Sequence, residues 1–158
     1  FFFKKPGPLM SLFVPGLYIA DSATLAGSYN SMQQEIGLTA HTDTAKFGGI
    51  RYENWFLESF SDTSVITLRT GTSKIVFREV EENDSLSLGI DSTVFTARMG
   101  YDSLKFDINW DDSEHVDWNV GNVKGYLDFM DFPRVEAKIS KARIKVNDTT
   151  WRIGKNNY

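Results

Sequence analysis

The sequence predicts an all-β protein built from antiparallel strands, with little helix. Three observations carry that expectation. Asp is followed at once by Ser or Thr eight times, at Asp21, Asp43, Asp62, Asp84, Asp91, Asp102, Asp112 and Asp148, and most of these pairs stand just before a run that alternates apolar with polar residues. A short Asp or Ser side chain bonds nearby backbone amides and so holds a turn, whereas repetition at every second position is the period of a strand with one dry face. Nowhere is there a capped amphipathic stretch long enough for a stable helix.

Taken in order, Phe1-Phe2-Phe3 reads as a strand end before a loop, since three aromatics fall far short of the roughly 20 apolar residues of a spanning helix. Residues 12–19 carry Pro15-Gly16 between apolar residues, and 23–29 and 36–40 give two strands with a loop near Met32. Gly48-Gly49 precedes Ile50-Arg51-Tyr52, and 54–60 suits either a strand or one helical turn. Ile66 with Leu68, then Ile75 with Phe77, read as two strands around a Gly-centred hairpin turn, Thr70-Gly71-Thr72-Ser73. The clearest alternation follows: Leu86, Leu88 and Ile90 against Ser85, Ser87 and Gly89, and Leu104, Phe106, Ile108 and Trp110 against Lys105, Asp107 and Asn109. Val94 and Ala97 lie between them in a Thr-rich run. Residues 123–129 form another strand, Pro133 interrupts, and Val135, Ala137 and Ile139 resume the alternation in odd register. Ala142, Ile144 and Val146 continue in even register, so a bulge or a tight turn at Ser140-Lys141 must reverse the facing.

Composition narrows the function classes. A chain of 158 residues, 41% hydrophobic and 14% aromatic, can bury a sizeable core as one domain over 1–158. The net charge of -4 comes from 21 acids and 17 bases scattered along the chain, with no basic stripe to track a phosphate backbone, so nucleic acid is not an expected partner. The absence of Cys excludes a disulfide framework, a thiolate metal site and a Cys nucleophile. The chain opens on Phe1 and closes on a stretch, 151–158, that reads as the start of a strand, so it is expected to be a fragment of a longer protein.

Candidate reaction centres are weak. The acidic run from Asp111 to Asp117 with His115 offers oxygen ligands and one imidazole, but lacks the spacing and central Gly of a calcium loop, and a solvated loop is the expected reading. Neither His41 nor His115 sits in a recognisable nucleophile setting. Asn83-Asp84-Ser85 and Asn147-Asp148-Thr149 match the glycosylation sequon, yet Asn-Asp is ordinary turn chemistry and turns are expected. Trp55, Trp118 and Trp151 fall outside the clean alternation and are the aromatics with potential to stack on a sugar ring. No catalytic residue, metal site or cofactor is expected, and the chain reads as non-enzymatic.

Residues 101–110, Gly121-Asn122-Val123-Lys124-Gly125 and the stretch from Ala142 through Asn147-Asp148-Thr149-Thr150-Trp151 to Ile153 resemble TamB-type translocation and assembly proteins, of the AsmA-like class, as they occur in Bacteroidetes-like bacteria. The early Pro15-Gly16-Leu17-Tyr18-Ile19 and Thr24-Leu25-Ala26-Gly27-Ser28-Tyr29 are similar to that family's repeated strand, small-residue turn and strand. The resemblance implies antiparallel strands in a folded-over open groove, the β-taco, with a greasy inner face and a polar outer one. A closed β-barrel of the lipocalin kind, binding a small hydrophobe, and a carbohydrate-binding β-sandwich are the alternatives, because periodicity does not separate an open trough from a filled core. The rows expected to line the groove are Leu86, Leu88, Ile90, Leu104, Phe106, Ile108, Val135, Ala137, Ile139, Ile144 and Val146. The implied function is inter-membrane phospholipid transport or outer-membrane protein assembly. The implied partners are phospholipid or another acyl-chain lipid, flanking segments of the same chain and an outer-membrane assembly protein. The implied location is the periplasm of a diderm bacterium, the full-length protein being anchored in the inner membrane.

Overall fold

A computed structural model describes residues 2–5, 7–8, 12, 15–62, 64–78, 88–111, 119–130, 135–146 and 149–154. They form one antiparallel sheet of eleven strands: β1 (Phe2–Lys4), β2 (Tyr18–Ile19), β3 (Thr24–Asn30), β4 (Glu35–Phe47), β5 (Ile50–Ser61), β6 (Ile66–Arg78), β7 (Leu88–Met99), β8 (Ser103–Asp111), β9 (Asn119–Asp128), β10 (Glu136–Val146) and β11 (Thr149–Ile153). From β3 to β11 every strand pairs with its successor, and β1 pairs with β3. The short β2 lies beside one end of β4, while β3 lies beside the rest of it. The path is open, with β1 and β11 at its two edges, so these strands make neither a closed barrel nor a two-sheet sandwich. Among the described residues, helical backbone is confined to positions 7, 8 and 12.

The turns follow from their residues. Gly48 (φ 59°) and Gly49 (φ 81°) bridge Phe47 and Ile50 as a two-residue loop, the positive φ at both positions being what a type I′ hairpin demands. Asn30 Oδ1 accepts the amides of Met32 and Gln33 in the turn to β4. Asp62 Oδ1 does the same for Ser64 and Val65 at 3.0 Å each in the turn to β6, and these two amides hold the Asp62 carboxyl below its ordinary value. Asp102 stands in the turn before β8, and its carbonyl accepts the amide of Phe129. The Asp84, Asp112 and Asp148 pairs lie outside the described residues, apart from Thr149, where β11 begins.

Two of the Asp pairs and one expected hairpin are corrected. Asp43-Thr44 lies inside β4, Asp91-Ser92 inside β7, and Thr70-Gly71-Thr72-Ser73 inside a single thirteen-residue β6. The segment 54–60, which suited either a strand or a helical turn, is strand throughout. The physical reason is a crease. Asp43, Asn54, Ser73 and Ser92 fall in one row across β4 to β7; the partner ladder skips this row and resumes in the same register on its far side. Asn54 (φ 49°) and Ser92 (φ 47°) take the left-handed backbone there, a conformation that Asn tolerates better than most residues. Side chains supply the bonds that the ladder omits. Thr42 Oγ1 donates to Thr44 O at 3.0 Å, Asn54 Nδ2 donates to Ser73 Oγ at 3.0 Å, and Thr72 Oγ1 lies 2.5 Å from Glu53 O and 2.9 Å from Lys74 O. The edge breaks on the same line: the turn at 20–23 separates β2 from β3, with Ala20 N bonded to Thr44 O.

At the crease each strand reverses its facing by one residue. Leu38, Ala40 and Thr42 therefore share a face with Ala45 and Phe47, and Leu57 and Trp55 share it with Tyr52. Several buried residues gather here, Ala23, Thr42, Ala45, Thr72 and Val76, whereas Ala97 and Ala142 are buried farther along the sheet. Elsewhere the core is a single layer deep, because the substantial contacts between elements run between hydrogen-bonded neighbours.

Candidate functional site: an apolar face

Cross-strand partners share a face, so the register assembles the apolar surface row by row. One row runs Leu57, Thr70, Phe95, Ile108, Val123, Ala142, Ile153; the next runs Leu68, Ala97, Phe106, Gly125, Ile139; the next runs Ile66, Met99, Leu104, Leu127, Ala137. On the other side of the first lies Thr72, Thr93, Trp110, Gly121, Ile144, Trp151. Of the residues expected from sequence, Leu104, Phe106, Ile108, Ala137, Ile139, Ile144 and Val146 all belong to this face. Ile90 joins it beyond the crease, opposite Ile75. Leu88 is within β7 but its side chain, like all of Leu86, lies outside what is described. Val135 precedes β10 and is exposed.

The change of parity in β10 is a bulge, not a turn: the pairing with β9 steps from Ile139↔Gly125 to Lys141↔Lys124, leaving Ser140 unpaired. Ser140 Oγ donates to Lys124 O and fills the gap in the ladder. The extra residue keeps Ala137 and Ile139 on the same face as Ala142, Ile144 and Val146, which a regular strand would have split between two faces.

Two glycines of β9 let aromatic rings lie down on this face. A side chain at Gly121 would collide with the Trp110 ring and one at Gly125 with the Phe106 ring. A strand position with no Cβ thus becomes a seat for its cross-strand aromatic. Trp55 and Trp110 are half-buried on this face, Trp151 is 55% exposed at its β11 edge, and Trp118 is outside the described residues.

The crease gives the face a recess. A depression of about 470 Å³ is walled on both sides of the bend by Leu17, Ile19, Leu25, Leu38, Ala45, Phe47, Trp55 and Leu57. Sequence reasoning missed this part. Its signal was present in the odd spacing between Ala40 and Ala45, but an alternation that breaks at an Asp looks like a strand ending in a turn.

The opposite face is polar. Arg69 pairs with Glu58 at 3.0 Å and covers the Phe56 ring, which in turn occupies the space over Gly71. Asp107 receives Lys124 at 2.6 Å and the amide groups of Asn109 and Asn122. Partial burial works to raise the Asp107 pKa, but Lys124 and the two Asn amides outweigh it and hold the carboxyl below its ordinary value. Among the described residues no three His, Asp or Glu side chains gather as cation ligands, and residues 112–117 of the acidic run are not among them.

No family model, curated protein or solved structure matches the chain. The candidate site therefore rests on its own geometry: an open sheet with one face apolar from β4 to β11 and recessed at the crease.

Proposed function

We propose that this chain is a non-enzymatic segment of a TamB-like, AsmA-like cell-envelope protein, and that its apolar face shelters the acyl chains of phospholipid or a similar lipid. In this reading the protein works in the periplasm of a diderm bacterium, with the full-length protein anchored in the inner membrane. It takes part in inter-membrane phospholipid transport or in outer-membrane protein assembly alongside an outer-membrane partner, and flanking segments of the same chain extend the groove.

The observation that supports the reading is the continuity of the apolar rows across strands, with no second layer among the described residues packed on them. Monomeric soluble proteins rarely leave so large a contiguous apolar surface uncovered. An acyl chain laid along the rows would remove both surfaces from water, a gain of roughly 25 cal/mol per Å². The side chains on this face are almost all uncharged, as hydrocarbon requires, since an unpaired charge beside it costs several kcal/mol. The bulge at Ser140 and the reversals at the crease all act to keep the apolar series on one side.

The test is lipid extraction and native mass spectrometry of the purified chain, with Trp fluorescence quenching by phospholipids carrying brominated acyl chains. Quenching of the wild type is expected. Phe106→Glu, on the apolar face, should abolish lipid association, whereas Lys105→Glu, one residue away on the polar face, should not. Equal effects from the two variants, or no lipid in either measurement, would overturn the reading.

A further inference from the structure

The polar face carries a feature that the groove does not need. Where β8, β9 and β10 meet, a second depression of about 380 Å³ is lined by Asn109, Asp111, Asn122, Arg143 and Lys145, together with Trp110 and Gly121. Lys141, Arg143 and Lys145 stand on this face at every second position of β10, about 7 Å apart along the strand. Arg143 is directly opposite Arg152 on β11, and Lys141 is directly opposite Lys124 on β9. Among the described residues, Arg143 and Lys145 line the depression with Asp111, and Lys124, Lys141 and Arg152 stand at neighbouring positions of the same face with Asp107.

Like charges directly opposite across an antiparallel pair oppose folding, so such an arrangement is expected where an anion joins them. The carboxylate of Asp107 is already engaged by Lys124, Asn109 and Asn122. That leaves Arg143 and Arg152 as two exposed guanidiniums on adjacent strands, beside the Asn122 side chain. Two planar forks at cross-strand distance suit a tetrahedral oxyanion, each bonding a different pair of oxygens. Two further cation pairs on this face, Arg98 opposite Lys105 and Lys46 opposite Arg51, each have a carboxylate at hand, Asp62 near Arg98 and Glu53 at 3.0 Å from Arg51, and neither lines this depression.

We propose that the Arg143 and Arg152 pair, with the depression beside it, is a binding site for a phosphate ester, presented either by a lipid headgroup or by a soluble phosphate compound. The site lies on the face opposite the acyl groove and stands whether or not the groove carries lipid.

The experiment is a titration of the ¹⁵N-labelled chain with inorganic phosphate and with glycerol phosphate at constant ionic strength. The Arg Nε–H resonances are followed, and binding to vesicles with and without phosphatidylglycerol is measured in parallel. Saturable shifts at Arg143 and Arg152 are expected, with affinity falling at least fivefold in Arg143→Gln and in Arg152→Gln and holding in Lys105→Gln. Both Arg are exposed, and preserved amide dispersion verifies that the variants fold. Vesicle binding that is lost in Arg143→Gln assigns the source to a headgroup; phosphate binding without vesicle binding assigns it to a soluble ester. Shifts that do not saturate, that chloride reproduces at equal ionic strength, or that Lys105→Gln weakens equally overturn the proposal. Phe106→Glu should leave the titration unchanged, which separates this result from any failure of the groove.

Discussion

At the scale of single residues, two threonines in neighbouring strands have opposite prospects. Thr72 Oγ1 is bonded to the carbonyls of Glu53 and Lys74, whereas the buried Thr93 Oγ1 has no hydrogen-bond partner. A buried donor with partners contributes about 1 kcal/mol and one without costs about 1–3 kcal/mol. Thr72→Val should therefore lower the urea midpoint and Thr93→Val should raise it, and matching signs from the two would contradict the assigned bonding. Gly121→Val would place its side chain inside the space of the Trp110 ring, so a loss of roughly 1–3 kcal/mol from overpacking is expected, together with a change in Trp emission. Asp107 sets an acid limit. Its folded pKa lies below the ordinary value of 3.8, so its contribution is complete above that value and is lost as pH falls through the folded pKa. Denaturant midpoints measured from about pH 6 down to about pH 2 should show less acid sensitivity in Asp107→Asn than in the wild type.

At the scale of elements, the bulge and the crease decide which way side chains point. Deleting Ser140 would restore a regular β10 and send either Ala137 and Ile139 or Ala142, Ile144 and Val146 to the polar side. Heightened proteolysis across 136–153 is expected, and a deletion variant as resistant as the wild type would show that the facing of β10 is set by something else. The same two devices mark what could and could not be read from the chain. The parity change at Ser140-Lys141 was visible because apolar residues flank it closely on both sides, and the strand period then admits only a bulge or a turn. The crease was not visible. Asp43-Thr44 and Asp91-Ser92 have the same composition as the true turns at Asp21, Asp62 and Asp102, and whether such a pair ends a strand or bends it depends on whether the neighbouring strand bends in the same row. That is a cross-strand property, absent from local sequence. Thr70-Gly71-Thr72-Ser73 misled for a related reason: Gly71 is small to admit the Phe56 ring, a close packing partner fifteen positions away, and not to relieve a turn.

At the scale of the molecule, the described strands make one layer with β1 and β11 at its edges, and each strand draws its support from the strands beside it. Protection of backbone amides should then grade from the edges inward, highest in β5 to β8 and lowest in β1 and β11. Native-state hydrogen exchange checks this, and uniform protection across all strands would signal a concerted unfolding that this geometry does not provide. Lipid on the apolar face should flatten the gradient and raise the melting temperature, by about 2.7 kcal/mol of stabilisation at a hundredfold excess over Kd.

Support that reaches only as far as the adjoining strand makes this architecture indifferent to its own extent. A hairpin spliced between any two existing strands would find the same neighbours, the same two faces and the same bend to follow, in the manner of a stacked-repeat array whose energetics add unit by unit. Reach could thus be tuned by duplication, one hairpin at a time, without redesigning any part already in place.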